Sequence, residues 1–227
     1  MSSHPLQPFV LTLSLDSRTA SSLTALRTKY FPAHRNHLSS HLTYFHALPA
    51  ARKSDIVADL LHLASVTKPF EIIIGPPFMM GAGVGINIKS TQDKRIEAVH
   101  DKLLRRWTTT EIALTGQDKR KLGSPHATVM NKCSKEEADA CYEQVTKTWK
   151  DRKGQAVGLQ LWEYQKDGSW KFLHDFNFQV DSSNETKEDP SADMNKLDIS
   201  TPSPKEHYDN GPKNSTDEGH CGNLSKK

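Results

Sequence analysis

Two short strings, His41-Leu42-Thr43 and His126-Ala127-Thr128, carry residue types suited to paired acid–base chemistry. On an extended strand, residues i and i+2 share a face, so each histidine and its threonine point the same way, about 7 Å apart along the strand. An imidazole titrates near pH ~6.5, so one ring can be neutral while another is protonated near neutrality. The neutral ring takes a proton from an attacking oxygen and the protonated ring gives one to a leaving oxygen. Threonine hydroxyls can donate to non-bridging oxygens as charge gathers on them. Such a set suits in-line displacement at phosphorus and calls for no metal.

Counting alone is weak support. With 11 histidines and 17 threonines in 227 residues, about 0.8 His-x-Thr strings arise by chance. A structural histidine satisfied beside a threonine accounts for either copy taken singly. Position is the stronger signal, and it comes from the elements that must carry the two strings.

Those elements repeat in order. Phe9–Leu15 alternates like a strand, Ser17–Tyr30 is helical, 38–48 is strand-like, 53–66 is helical and 70–75 is a short apolar strand. The second half follows with a strand at 84–89, a helix at 91–107, a strand at 125–131, a helix at 134–150 and a strand at 156–164, with an extra strand at 170–178. The helices show apolar stripes, such as Ile96, Val99, Leu103 and Trp107, and Ser134 with Glu137 forms a capping box. Each His-x-Thr falls on the middle strand of its half. The expected fold class is therefore α+β and bilobal, each lobe a small antiparallel-type sheet covered by helices, with the active-site cleft between lobes. Lobe bounds of about 5–75 and 84–178 are expected within one domain at 5–180, and elements can swap between lobes.

Composition narrows the class. Hydrophobic residues make up 35% and charged residues 25%, ordinary values for a soluble chain. No apolar run approaches the ~20 residues of a membrane span, and MSSHPLQPFV has no signal-peptide pattern. Three scattered cysteines argue against a disulfide framework. A cytoplasmic or nuclear monomer with no membrane partner is expected. The formal charge is +3, but residues 181–227 carry −4, which leaves +7 on the rest. A basic body suits an anionic partner such as a nucleotide or an RNA end. The tail is polar, acidic and without period, so it is expected to be disordered. It could screen the cleft, though an inert solvated extension is the plainer reading.

HLTYFHALP at 41–49 and SPHATVMNK at 124–132 resemble the two signatures of the two-histidine phosphoesterases, the 2′-5′ RNA ligase and cyclic nucleotide phosphodiesterase superfamily. The 85-residue separation of the histidines is typical of that family. The resemblance spans roughly 8–178. It implies two lobes related by a pseudo-twofold axis, with a site between them that acts on 2′,3′-cyclic or 2′-5′ phosphoester bonds without metal or other cofactor. Carried onto this chain, His41 and His126 are the catalytic pair and Thr43 and Thr128 bind the phosphate.

Phe45, Lys89 and Lys132 are further candidate substrate contacts. Phe45 shares a strand face with Thr43 in a regular strand and could stack on a base, although a core position is as consistent. Both lysines end strands near the expected cleft, where solvated lysines are also common, and Arg35 is no better placed. His34, His37, His41 and His46 invite a zinc reading, but their spacing fits no standard finger and no cysteine is near. GAGVG at 81–85 is not followed directly by a helix, so it reads as a turn or bulge rather than a phosphate loop. Three functions stay open. One is a metal-independent phosphodiesterase opening 2′,3′-cyclic phosphates, with reversible 2′-5′ ligation. The others are a nucleotide- or RNA-binding module without turnover and a 3′-5′ RNA exonuclease.

Overall fold

A computed structural model describes residues 6–180, Gln92 excepted; the tail at 181–227 lies outside the described residues. Seven strands form: β1 Phe9–Leu15, β2 Leu42–Leu48, β3 Phe70–Met79, β4 Val84–Ser90, β5 His126–Met130, β6 Arg152–Tyr164 and β7 Trp170–Asn177. Four helices join them: α1 Ser17–Tyr30, α2 Lys53–Ser65, α3 Arg95–Thr109 and α4 Lys135–Thr148. The α+β class and the antiparallel pairing are as expected. The strands run as one sheet in the order β2-β1-β6-β3-β4-β5, with β7 also beside β6. The two halves read from the sequence thus share a sheet instead of holding one each.

The join is β6. It pairs with β1 along one edge from Ala156 to Glu163. Its other edge is divided, with Arg152–Ala156 on β3 and Gly158–Tyr164 on β7. Gly158 sits where one partner gives way to the other, and a Cβ there would meet the Phe176 carbonyl oxygen at 2.5 Å, closer than such contacts allow. A strand from the second half therefore runs between β1 and β3 of the first, and β3 turns through the glycine-rich 81–85 segment to pair with β4. Gly81, at φ +60, supplies the left-handed residue of that turn, so these glycines make a hairpin.

Helices pack where their apolar stripes demand. Ile56, Leu60, Leu63 and Ala64 bury the inner face of α2 against β6 and β7. Ile96, Val99, Leu103 and Trp107 do so for α3 against β4, and Ala138, Cys141 and Val145 for α4 against β3 and β4. The expected capping box is present: Glu137 N–H donates to the Ser134 hydroxyl and Ser134 N–H to the Glu137 carboxylate. Asp16 caps α1 through Thr19 N–H at 2.9 Å and also accepts from Gln155 N–H at 2.7 Å, tying the helix start to β6.

β2 and β5 are the two ends of the sheet path, yet they lie in contact. The sheet curls until its ends meet, and the two His-x-Thr strings ride on those ends. Among the described residues no helix is long and apolar enough to cross a membrane.

Candidate active site

His126 opens β5, but His41 stands one residue before β2. The segment expected as strand at 38–41 is held by α1 instead. Thr24 and Arg27 lie three apart on one face of that helix. The Thr24 hydroxyl accepts from Ser40 N–H at 3.1 Å, while Arg27 Nε donates to Asn36 Oδ1 at 3.0 Å and to the Leu38 carbonyl at 3.2 Å. The Leu38 carbonyl and the Ser40 N–H are thus bonded to helix side chains instead of to a neighbouring strand.

Each histidine is fixed in the same way. Nδ1 of His41 bonds the Ser39 carbonyl at 2.8 Å and Nδ1 of His126 bonds the Ser124 carbonyl at 2.7 Å. A carbonyl only accepts, so both Nδ1 atoms carry the hydrogen and both Nε2 atoms are left for chemistry. The residue two positions before the histidine is serine in both strings, though the bond uses its backbone.

His41, Thr43, His126 and Thr128 line one cleft of about 600 Å³. Lys132 also lines it; Lys89 does not. Phe45 is fully buried, stacked on His100 at 4.6 Å and edge-on to Trp107 at 4.7 Å. The reason is a bulge. Thr12 opposes Thr43, but Leu11 opposes Phe45, so Tyr44 is an extra residue and the strand alternation breaks directly after the threonine. Tyr44 and Phe45 are both buried as a result. The same event follows Thr128: Gly85 opposes Thr128 and Val84 opposes Met130, leaving Val129 extra.

The sequence reading passed over two cleft residues. Trp170, from the first position of β7, packs on His41 with ring centroids 4.6 Å apart. His46 lines the same cleft, although the sequence raised it only as a metal ligand. An aromatic residue opening an added strand is no functional signal by itself, so only long-range pairing reveals Trp170. Among the described residues no three His, Cys, Asp or Glu side chains converge in a way that could hold a metal ion.

The electrostatics of the cleft are lopsided. Burial pushes His41 down to about 4; the Ser39 carbonyl opposes this, and electrostatic coupling to Arg27, His46 and His126 adds to the fall. Burial also lowers His46, partly offset by Asp118. The Arg27 guanidinium, itself lowered to about 10 by burial, stays charged at neutral pH. It spans both halves of the site, since its Nη1 donates to the Thr128 carbonyl at 3.0 Å while its Nε holds the approach to His41. It stacks on Phe31 with Cζ 3.8 Å from the ring centroid.

Asp118 serves the outer edge of β2 in turn. It is buried and accepts from His46 N–H at 2.8 Å, Ala47 N–H at 3.0 Å and the Thr115 hydroxyl at 2.9 Å. Two buried charged side chains thus occupy the exposed backbone of the two end strands, a position that otherwise invites pairing with another chain.

A family model described as the 2′-5′ RNA ligase superfamily matches residues 15–168, more than half of the chain. Among solved structures, E. coli LigT complexed with 3′-AMP superposes with a TM-score of 0.51 at 12% identity, covering 77% of this chain and 99% of LigT. LigT in apo form gives 0.50 at 12% identity, over 78% and 100% of the two chains. A further phosphoesterase structure gives 0.50 at 12%, over 77% and 99%. No curated protein sequence matches. At such identities the structural likeness is one of fold, and the fold is that of the family model: this chain belongs to the 2′-5′ RNA ligase superfamily.

Proposed function

We propose that this chain is a phosphodiesterase that opens 2′,3′-cyclic phosphates on nucleotides or RNA ends, with His41 and His126 as the acid–base pair and with reversible 2′-5′ ligation. One observation carries the reading. Two imidazoles with matched Nδ1 anchors and free Nε2 atoms line the same cleft as two threonine hydroxyls. The superfamily is of phosphoesterase and ligase type, and E. coli LigT has been crystallised with 3′-AMP; both support a nucleotide substrate.

His41, held down to about 4, is a free base at neutral pH and takes the proton of the attacking water. The water oxygen bonds phosphorus as the bond to one ribose oxygen breaks, and His126 delivers a proton to that oxygen. Thr43 and Thr128 donate to the non-bridging oxygens as their charge grows. Lys132, on the cleft wall, adds a positive charge for the phosphate. Trp170 takes the stacking role that the sequence offered to Phe45.

The test is turnover of 2′,3′-cyclic nucleotides and of cyclic-phosphate-ended oligonucleotides by the purified chain in EDTA, with products identified by mass. Turnover is expected. Binding without product at every pH would favour the non-catalytic module, and trimming of a 3′-hydroxyl oligonucleotide would favour the exonuclease.

A further inference from the structure

Two hollows lie between α2 and α3, of about 560 Å³ and 390 Å³. They share Val66 and Lys102, so they form one groove along the two helices. The groove has no residue in common with the cleft that holds His41 and His126. Its wall on the α2 side is a stripe at helical spacing: Asp59, His62, Leu63 and Val66.

One side chain fixes its width. The Asp59 carboxylate accepts from Arg106 Nε at 3.0 Å through one oxygen and from Trp107 Nε1 at 3.1 Å through the other. Trp107 is fully buried, so this bridge ties α2 to α3 from the core outward. The groove is therefore formed before any partner reaches it.

Floor and rim differ in kind. Leu63, Val99 and Leu103 are buried at the base, while Val66, 60% exposed, and Ala98 lie open above them. The rim is cationic. Arg95, Lys102 and Arg106 stand at i, i+7 and i+11 of α3, on one face and over ~16 Å of helix. Two carboxylates line the groove, Asp59 and Asp93, and Asp59 is already bonded to Arg106 and Trp107. Among the described residues neither Arg95 nor Lys102 has an ion-pair partner. Nucleic acid would meet the rim with phosphates but leave the floor uncovered, since no exposed Phe, Tyr or Trp side chain lines the groove for a base to stack on. A helix with an apolar stripe flanked by Asp or Glu answers both floor and rim.

We infer that the α2–α3 groove docks an acidic amphipathic helix of a partner protein. The helix lays its apolar stripe on Val66 and Ala98 and pairs its carboxylates with Arg95, Lys102 and Arg106. Because groove and cleft share no residue, the docked helix leaves the cleft open, and the docking does not depend on the acid–base reading of His41.

The experiment follows fluorescence anisotropy of the labelled peptide ELAELLEELAELLE as the full chain is added at physiological salt. Two comparison peptides are used: the same residues in an order without an apolar stripe, and the lysine counterpart KLAKLLKKLAKLLK. Two variants probe rim and floor separately. Arg95→Glu with Lys102→Glu reverses the rim, and Val66→Lys removes an apolar contact while adding a positive charge. Circular dichroism checks that both fold. The acidic peptide should bind saturably and at least tenfold more tightly than either comparison peptide. Its affinity should fall at least tenfold in the rim variant and at least threefold in Val66→Lys. No saturable binding by wild type would overturn the proposal, as would equal binding of the reordered peptide. Unchanged or tighter binding by Val66→Lys would also overturn it, because diffuse attraction to a basic surface predicts that result. An oligoadenylate that displaces the peptide from wild type and itself loses affinity for the rim variant would assign the groove to nucleic acid instead. A wild-type dimer in sedimentation that the rim variant abolishes would assign it to a second copy of this chain.

Discussion

The His41 side and the His126 side of the cleft are built to one plan and then tuned apart. Both have a serine carbonyl on Nδ1, a threonine two residues on and a bulge directly after that threonine. The His126 ring meets Phe78 edge-on at 5.6 Å from the head of its strand. The His41 ring lies outside its strand, against Trp170, with Arg27 reaching in from α1. Equal anchoring sets the same tautomer on both rings, while unequal surroundings give one of them a strong bias toward the neutral form. Under the acid–base roles proposed above, the two rings act in different protonation states, which a difference in surroundings favours.

Breaking either histidine is the largest expected perturbation. His41→Ala and His126→Ala should each lower kcat by ~10²–10⁴-fold. The two should differ in pH dependence. A base with a value near 4 is active only when unprotonated, so kcat/KM should fall as pH drops through about 4 in wild type. His126→Ala should keep that acidic limb in its residual rate and His41→Ala should lose it. Undiminished turnover in either variant would remove the pair from the mechanism. The same depression has a stability consequence. The unfolded chain takes up this proton near pH ~6.5 and the folded chain only near 4, so His41 weakens folding progressively as pH falls between those values.

Arg27→Met attacks the asymmetry itself. It removes three donated bonds from a buried site, and a loss of ~2–4 kcal/mol in denaturant unfolding is expected. It also removes a cation that lowers His41, so the acidic limb should move up in pH. A limb that stays in place would show that burial alone sets His41.

Of the two end strands, Asp118→Ala strips acceptors from β2 alone, and it also leaves the Thr115 hydroxyl without its acceptor. It should cost ~1–3 kcal/mol, without directly touching the His126 strand. The smallest change is Asp16→Ala, which removes the α1 cap at ~1 kcal/mol. Burial raises the Asp16 carboxyl, but the N–H groups of Gln155 and Thr19 outweigh it and hold the group below its ordinary value. Its contribution is present above the unfolded pKa and is lost as pH falls through the lower folded one. The wild-type advantage over Asp16→Ala, measured by thermal melts, should therefore shrink in acid.

Much of this was legible in the chain because the signals are local. Among the described residues, apolar spacing located the four α-helices to within a few residues, and alternation located β1, β4 and β5. Ser134 with Glu137 announced its own cap. The His-x-Thr strings singled out four side chains that line one cleft, although only the second string lies wholly within a strand. Lys132 lines the cleft and Lys89 does not, because a strand end near the site in sequence can face elsewhere in space. Phe45 failed for a sharper reason. Strand periodicity puts it beside Thr43, but one extra residue against β1 turned it into the core, and a bulge is a property of two strands.

The sequence by itself determined the element types, the two histidine–threonine pairs and the basic balance that suits a phosphate. The first two depend on residues within one or two turns of backbone, and the third on composition alone. Tertiary structure alone decided that one sheet curls until its ends meet, that Trp170 closes on a histidine far earlier in the chain, and that Arg27 reaches across to both halves of the cleft. Those outcomes depend on which strand edges pair and on how buried charges find acceptors. Free energies of that kind are shared between distant segments and written in neither one.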